Sequence, residues 1–153
     1  MARKVVIVGP AYPLRGGGMA TFNERLAYAL QEAGDEVEII TFSLQYPSFL
    51  FPGKSQYSDE PAPEGLHIKV LINSINPVSW WQAGNYIRRQ KPDLVIFRYW
   101  LPFMGPCLGT IARIIRRNKY SKVLAITDNV VPHEKRPGDV PFTKYFLRAC
   151  HGF

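Results

Sequence analysis

Short aliphatic runs alternating with helical patterns constrain this chain more than any other feature. Val5-Val6-Ile7-Val8, closed by Gly9-Pro10, shows no in–out alternation, as expected of a strand covered on both faces in a parallel sheet. A helix follows over Met19–Ala33, with Phe22, Leu26, Ala29, Leu30 and Ala33 at helical spacing and Gly34 where a left-handed cap belongs. Thr21 and Glu24 have the spacing of a capping box, and the glycines before Met19 offer an alternative start one turn earlier. The pattern then repeats. Glu36–Phe42, His67–Ile72, Leu94–Phe97 and Val123–Ile126 read as strands; Trp80–Gln90, Phe103–Asn118 and a segment beginning at Phe142 read as helices. Such alternation predicts an α/β fold, a Rossmann-like parallel sheet with right-handed crossovers and helices on both faces. Ligands in that architecture sit at the carboxyl ends of the strands.

The chain has 153 residues and 46% hydrophobic content, enough for a single domain over 1–153 that folds without disulfide or metal staples. Cys107 and Cys150 match no ligand spacing and read as small hydrophobes in a reducing compartment. No apolar run approaches the roughly 18 residues of a membrane span, so the expected location is cytoplasmic, with peripheral contact at the inner membrane face. Charge is divided unevenly. Residues 1–76 carry 6 basic and 8 acidic side chains, whereas residues 77–153 carry 13 and 4, giving −2 and +9. That asymmetry favours an anionic partner.

Two loops after strands hold the candidate chemistry. In the first, Arg15 precedes Gly16, Gly17 and Gly18, three residues without Cβ atoms at a helix start. Bare amides and the helix dipole there suit phosphate oxygen. The spacing is neither GxGxxG nor a P-loop. In the second, Asp128, Asn129, His133 and Glu134 follow the fifth strand, with Asp128 and His133 as candidates for proton transfer and Asn129 and Glu134 for binding. Arg98, directly after the fourth predicted strand, is expected to face the same cleft or to form a structural ion pair. Ser43–Leu66 fits no period and reads as a long, aromatic-rich loop of functional kind. The cluster Arg113, Arg116, Arg117, Lys119 and Lys122 is either a solvated helix face or, with Trp80, Trp81 and Phe49-Leu50-Phe51, a contact for an anionic membrane surface. No nucleic-acid motif interrupts the alternation, so a nucleic-acid partner is not expected.

A strand ending in Gly9-Pro10, glycines 16–18 before a helix bearing Phe22, Leu26, Leu30 and Ala33-Gly34-Asp35-Glu36-Val37, and Lys91-Pro92-Asp93-Leu94-Val95 before the fourth strand together resemble the N-terminal, acceptor-side domain of family-4 (group 1) glycosyltransferases of bacterial type, which have the GT-B fold. The resemblance spans essentially the whole chain. It implies a two-domain retaining enzyme that moves a sugar, as a hexosyltransferase does, from a nucleotide-diphosphate sugar to a sugar or lipid-linked acceptor, with no cofactor or metal. Gly16, Gly17 and Arg15 would then line the donor and acceptor cleft, and Ser43–Leu66 would select the acceptor. Many members carry a histidine just after the fifth strand, where this chain has Asp128. It further implies a donor-binding domain beyond Phe153, with Cys150–Phe153 leading into a sixth strand, and little activity for this domain alone. The alternative is a stand-alone Rossmann- or flavodoxin-like module that binds a nucleotide or other anion without catalysis.

Overall fold

In the computed structural model, which describes residues 3–12, 18–44, 63–99, 104–127 and 139–152, the alternation closes into one all-parallel sheet. Its strands are β1 (Lys4–Val8), β2 (Glu36–Leu44), β3 (His67–Asn73), β4 (Leu94–Tyr99) and β5 (Lys122–Thr127), in the order β3-β2-β1-β4-β5. The helices are α1 (Gly18–Glu32), α2 (Pro77–Gln90), α3 (Gly105–Arg116) and α4 (Asp139–Ala149). Val5 and Ile7 point toward α1 and pack with Ala27 and Ile39; Val6 and Val8 point toward α2, α3 and α4 and join Phe42, Phe97, Leu108 and Phe146. Burial on both faces is why the first strand shows no alternation. The sheet is therefore Rossmann-like, with helices on both faces.

Several boundaries and faces differ from the sequence reading, each for a local reason. α1 begins at Gly18, so the Thr21–Glu24 capping box does not form; Glu24 lies in the second turn and accepts from the backbone N–H of Tyr12 instead. Its buried stripe is Ala20, Asn23 and Ala27, while Phe22, Ala29 and Ala33 are exposed. Helix α2 starts at Pro77, one turn ahead of Trp80, because Asn76 Oδ1 caps the Val78 N–H and proline suits the first helical position. Strand β4 runs on to Tyr99, so Arg98 is a strand residue. Strand β2 takes in Ser43 and Leu44, β5 takes in Thr127, and α4 takes in Asp139–Pro141, each assigned to loop from sequence.

The cationic stripe of α3 is only partly a free face. Arg113 donates from Nη2 to the Tyr145 carbonyl at 2.7 Å and lies 4.1 Å over the Tyr145 ring, and Arg116 reaches the Ala149 carbonyl at 3.2 Å. Two cations thus satisfy carbonyls along the C-terminal half of α4, where a positive charge also complements the helix dipole. Met104, Cys107, Leu108, Ile111 and Ile115 form the buried face that the sequence predicts. Both cysteines are free; burial raises the Cys107 thiol and lifts that of Cys150 to about 12.

Beyond α4 the chain returns to the sheet edge. Gly152 bridges Leu124 in parallel, the Ala125 N–H donates to the Gly152 carbonyl at 3.0 Å, and the Val123 N–H donates to His151 Nδ1 at 2.9 Å. An imidazole nitrogen here replaces a strand carbonyl, so it must stay unprotonated. Desolvation at the edge, with Arg116 and Lys122 nearby, depresses the His151 pKa below its ordinary value. Because the unfolded chain then takes up the proton first, the hold on this segment is complete above the ordinary histidine pKa of about 6.5 and is lost as pH falls below it. In a pH titration by NMR the Val123 amide should shift in step with the His151 ring; a ring that titrates while the amide stays fixed would exclude the bond.

Candidate functional site

Strand order dictates where a ligand can enter. From β1 the chain proceeds through α1 to β2 and β3 on one side, then crosses back through α2 to β4 and β5 on the other. The carboxyl ends of β1 and β4 consequently diverge into a crevice. Val8 is paired with both Ile40 and Phe97, so the residues that follow, Gly9 and Arg98, lie side by side at its floor.

Gly9 leaves room for two neighbours. A Cβ built there would lie 2.8 Å from Asn23 Nδ2 and 2.9 Å from Arg98 Cβ. The segment after it is held from both flanks: the Gly9 N–H donates to the Ile40 carbonyl at 3.1 Å, the Ala11 N–H to Thr41 Oγ1 at 3.0 Å, and Asn23 Nδ2 to the Pro10 carbonyl at 2.9 Å. A fixed entry to the loop between β1 and α1 results.

Arg98 is 8% exposed, with its guanidinium 4.4 Å over the Phe22 ring. Phe22, read as core from sequence, is thus an aromatic wall of the crevice. Asn23 is fully buried, and its Oδ1 has no hydrogen-bond partner among the described residues. An unmet buried acceptor costs about 1–3 kcal/mol. Desolvation raises the Glu24 carboxyl above the usual carboxylate range, against the opposing effect of the Tyr12 N–H. The crevice therefore combines a desolvated cation, an aromatic face, an acceptor with no partner among the described residues, a half-buried carboxyl and the N-terminus of a 15-residue helix. These groups suit a ligand that carries both negative oxygen and hydroxyl groups.

Of the sequence-derived candidates, the structure brings Arg98 to this crevice and makes Gly18 the first residue of α1. Arg15, Gly16, Gly17, Asp128, Asn129, His133 and Glu134 lie outside the described residues, as do Phe49-Leu50-Phe51. Sequence reasoning missed Gly9, Phe22, Asn23, Glu24 and Thr41. The available signal was Asn23, a polar residue one turn before Ala27 on the side of α1 that meets the sheet. Trp80, assigned to a membrane contact, is half-buried and donates from Nε1 to the Asn73 carbonyl at 2.8 Å. Among the described residues no three His, Cys, Asp or Glu side chains gather in metal-binding fashion, and no helix is long and apolar enough to cross a membrane.

No protein-family profile and no curated protein matches the sequence. Solved structures do match. An alpha-glucosyltransferase in complex with UDP-glucose and DNA containing an abasic site aligns with 99% of this chain and 35% of its own, at 13% identity and a TM-score of 0.62. An alpha-glucosyltransferase with UDP and a 13-mer DNA aligns with 99% and 37%, at 12% identity and a TM-score of 0.58. UDP-GlcNAc 2-epimerase from Methanocaldococcus jannaschii aligns with 98% and 38%, at 12% identity and a TM-score of 0.55. At such identities the likeness is one of fold: this chain has the Rossmann-like architecture found in GT-B proteins. It spans little more than a third of each matched structure. The expectation that nucleic acid is no partner gains no support from neighbours that hold DNA.

Proposed function

We propose that this chain is the acceptor-side domain of a retaining, family-4-type glycosyltransferase, working with a second domain that binds a nucleotide-diphosphate sugar. The observation that carries the proposal is the crevice between β1 and β4, where Arg98, the orphaned acceptor of Asn23 and the start of α1 converge. The fold neighbours add weight, since two of them hold UDP or UDP-glucose. In this reading Arg15 and glycines 16–18 offer amides and charge to phosphate oxygen, and Arg98 fixes an anionic group of the bound substrate. Asn23 accepts a hydroxyl proton from the sugar. Asp128 and His133 serve proton transfer, with Asn129 and Glu134 as binding groups. Cationic groups of the second domain would stabilise the departing nucleotide diphosphate, so the domain on its own binds weakly and transfers little.

The test is an NMR titration of the labelled chain with UDP, UDP-glucose and glucose 1-phosphate. The expected result is that perturbed amides cluster at Gly9, Tyr12, Gly18, Asn23 and Arg98. Replacing Arg98 by glutamine removes a charge-assisted hydrogen bond worth about 1.5–3 kcal/mol, so affinity should fall about ten- to a hundredfold. Perturbation confined to other surfaces, or none at millimolar ligand, would end the proposal. A stand-alone binding module predicts instead the same crevice contacts at full affinity, with nothing gained when the donor domain is supplied.

A further inference from the structure

Three of the most exposed apolar side chains among the described residues share one end of α2. Ile75, Val78 and Trp81 are 51%, 61% and 57% exposed, and all three belong to the first turns of α2 or the loop before it. Single exposed hydrophobes are ordinary, but three neighbouring ones at the start of a helix whose outer face is otherwise polar call for an occupant. Trp81 also forms one wall of a shallow groove of about 470 Å³, shared with Gln82, Asn85, Tyr86, Arg89 and Gln90. The far end of α2 is cationic. Arg88 and Arg89 occupy its last turn and Lys91 its left-handed cap. Asn118 Nδ2 donates to the Arg88 carbonyl at 3.2 Å, bringing exposed Arg117 and Lys119 alongside.

Charge complementarity decides what covers this face. Between residues 65 and 127 the sequence has ten Lys and Arg and a single acid, Asp93, whose carboxylate accepts from the Tyr120 hydroxyl and from the Lys4 N–H. Glu38, a carboxylate that touches α2, is held by the Tyr86 hydroxyl at 3.0 Å, by Gln90 at 3.3 Å and by His67 at 3.4 Å. We infer that the outer face of α2, with the adjoining end of α3, docks on an anionic lipid leaflet: Trp81, Val78 and Ile75 enter the interface, and Arg89, Lys91, Arg117 and Lys119 meet the headgroups. An aromatic and aliphatic tip beside a cationic flank is the composition of an interfacial helix. A nucleic acid would use the cations and leave Ile75 and Val78 in water, whereas a lipid leaflet offers a negative surface and an apolar interior together. The residues involved differ from those the sequence suggested, because Arg113, Arg116 and Trp80 are engaged within the fold. Since α2 starts at the carboxyl edge of β3, the apolar tip lies at the crevice edge of the sheet and the cations at the opposite edge, and the docking stands whether or not the enzymatic reading holds.

Cosedimentation with phosphatidylcholine vesicles, with and without phosphatidylglycerol, tests the docking. The chain should sediment only with the anionic vesicles. At about fivefold per cation, Arg89→Gln combined with Lys91→Gln should lower the partition coefficient about 25-fold, and Trp81→Ala should lower it further. All three positions are exposed, so melts of the variants should match wild type and the loss cannot be assigned to unfolding. Equal sedimentation with neutral vesicles, or none with either, overturns the inference. So does a loss on removing the cations but none with Trp81→Ala, accompanied by equal retention on DNA, since that pattern belongs to a general polyanion binder.

Discussion

Replacing Gly105 with alanine should destabilise the fold by about 2–3 kcal/mol, the upper part of the range for overpacking a close-packed interior, which for a chain of this length corresponds to about 4–12 °C in Tm. A Cβ at this position would lie 2.4 Å from the Phe142 carbonyl oxygen and 2.8 Å from its carbon. Those atoms are backbone of α4, so relief requires the helix to move, and α4 is anchored along its length. The Tyr99 hydroxyl meets Thr143 Oγ1 at 2.8 Å, Phe146 stacks 4.5 Å from the Tyr99 ring, and Arg113 and Arg116 hold the carbonyls of Tyr145 and Ala149. Gly109, one turn on, gives the internal comparison. Its added Cβ would meet the Tyr145 ring at 2.5 Å, a side chain that can be trimmed. Calorimetric melts of the single and double variants should therefore show Tyr145→Ala offsetting part of the Gly109→Ala loss, while Phe142→Ala offsets none of the loss at Gly105. A Gly105→Ala melt indistinguishable from wild type would mean that α4 does not sit this close to α3.

The sheet was legible because its signal is local and redundant. Four apolar residues in a row at Val5–Val8, and the stripe Met104, Cys107, Leu108, Ile111 and Ile115, each report burial without reference to any other part of the chain. The orientation of α1 was not legible in the same way. Phe22 is more hydrophobic than Asn23, so periodicity weighted by hydropathy turns the helix toward Phe22; the structure turns it toward Asn23, whose amide is needed against Pro10 and whose burial no hydropathy scale favours. The same blindness applies to Arg113 and Arg116. Their spacing reads as a solvated face, and only the placement of α4 against Gly105 and Gly109 supplies the carbonyls that they bind. For the crevice, sequence marked the right edge of the sheet, since ligands follow strand ends, and it named Arg98. It did not name Gly9 as part of the constellation, because a glycine closing a strand looks like a turn until the residues on either side of it are known.

That position gives the second large effect. Gly9→Ala should lower stability by about 1–3 kcal/mol and abolish ligand-induced shifts at Asn23 and Arg98 together. The backbone at Gly9 lies outside the left-handed region, so conformational freedom is not what excludes a side chain; space is. On one side the added methyl meets Asn23 Nδ2, which cannot withdraw without giving up its bond to the Pro10 carbonyl. On the other it meets Arg98 Cβ, an atom that every residue but glycine possesses. The two walls respond differently to further substitution. Asn23→Ala in the Gly9→Ala background should recover part of the stability by clearing the first contact, whereas Arg98→Ala should recover none, because its Cβ remains. If both double variants recover equally, or if Gly9→Ala folds and binds as wild type does, then β1, α1 and β4 do not converge on residue 9, and the crevice loses the contact that defines its floor.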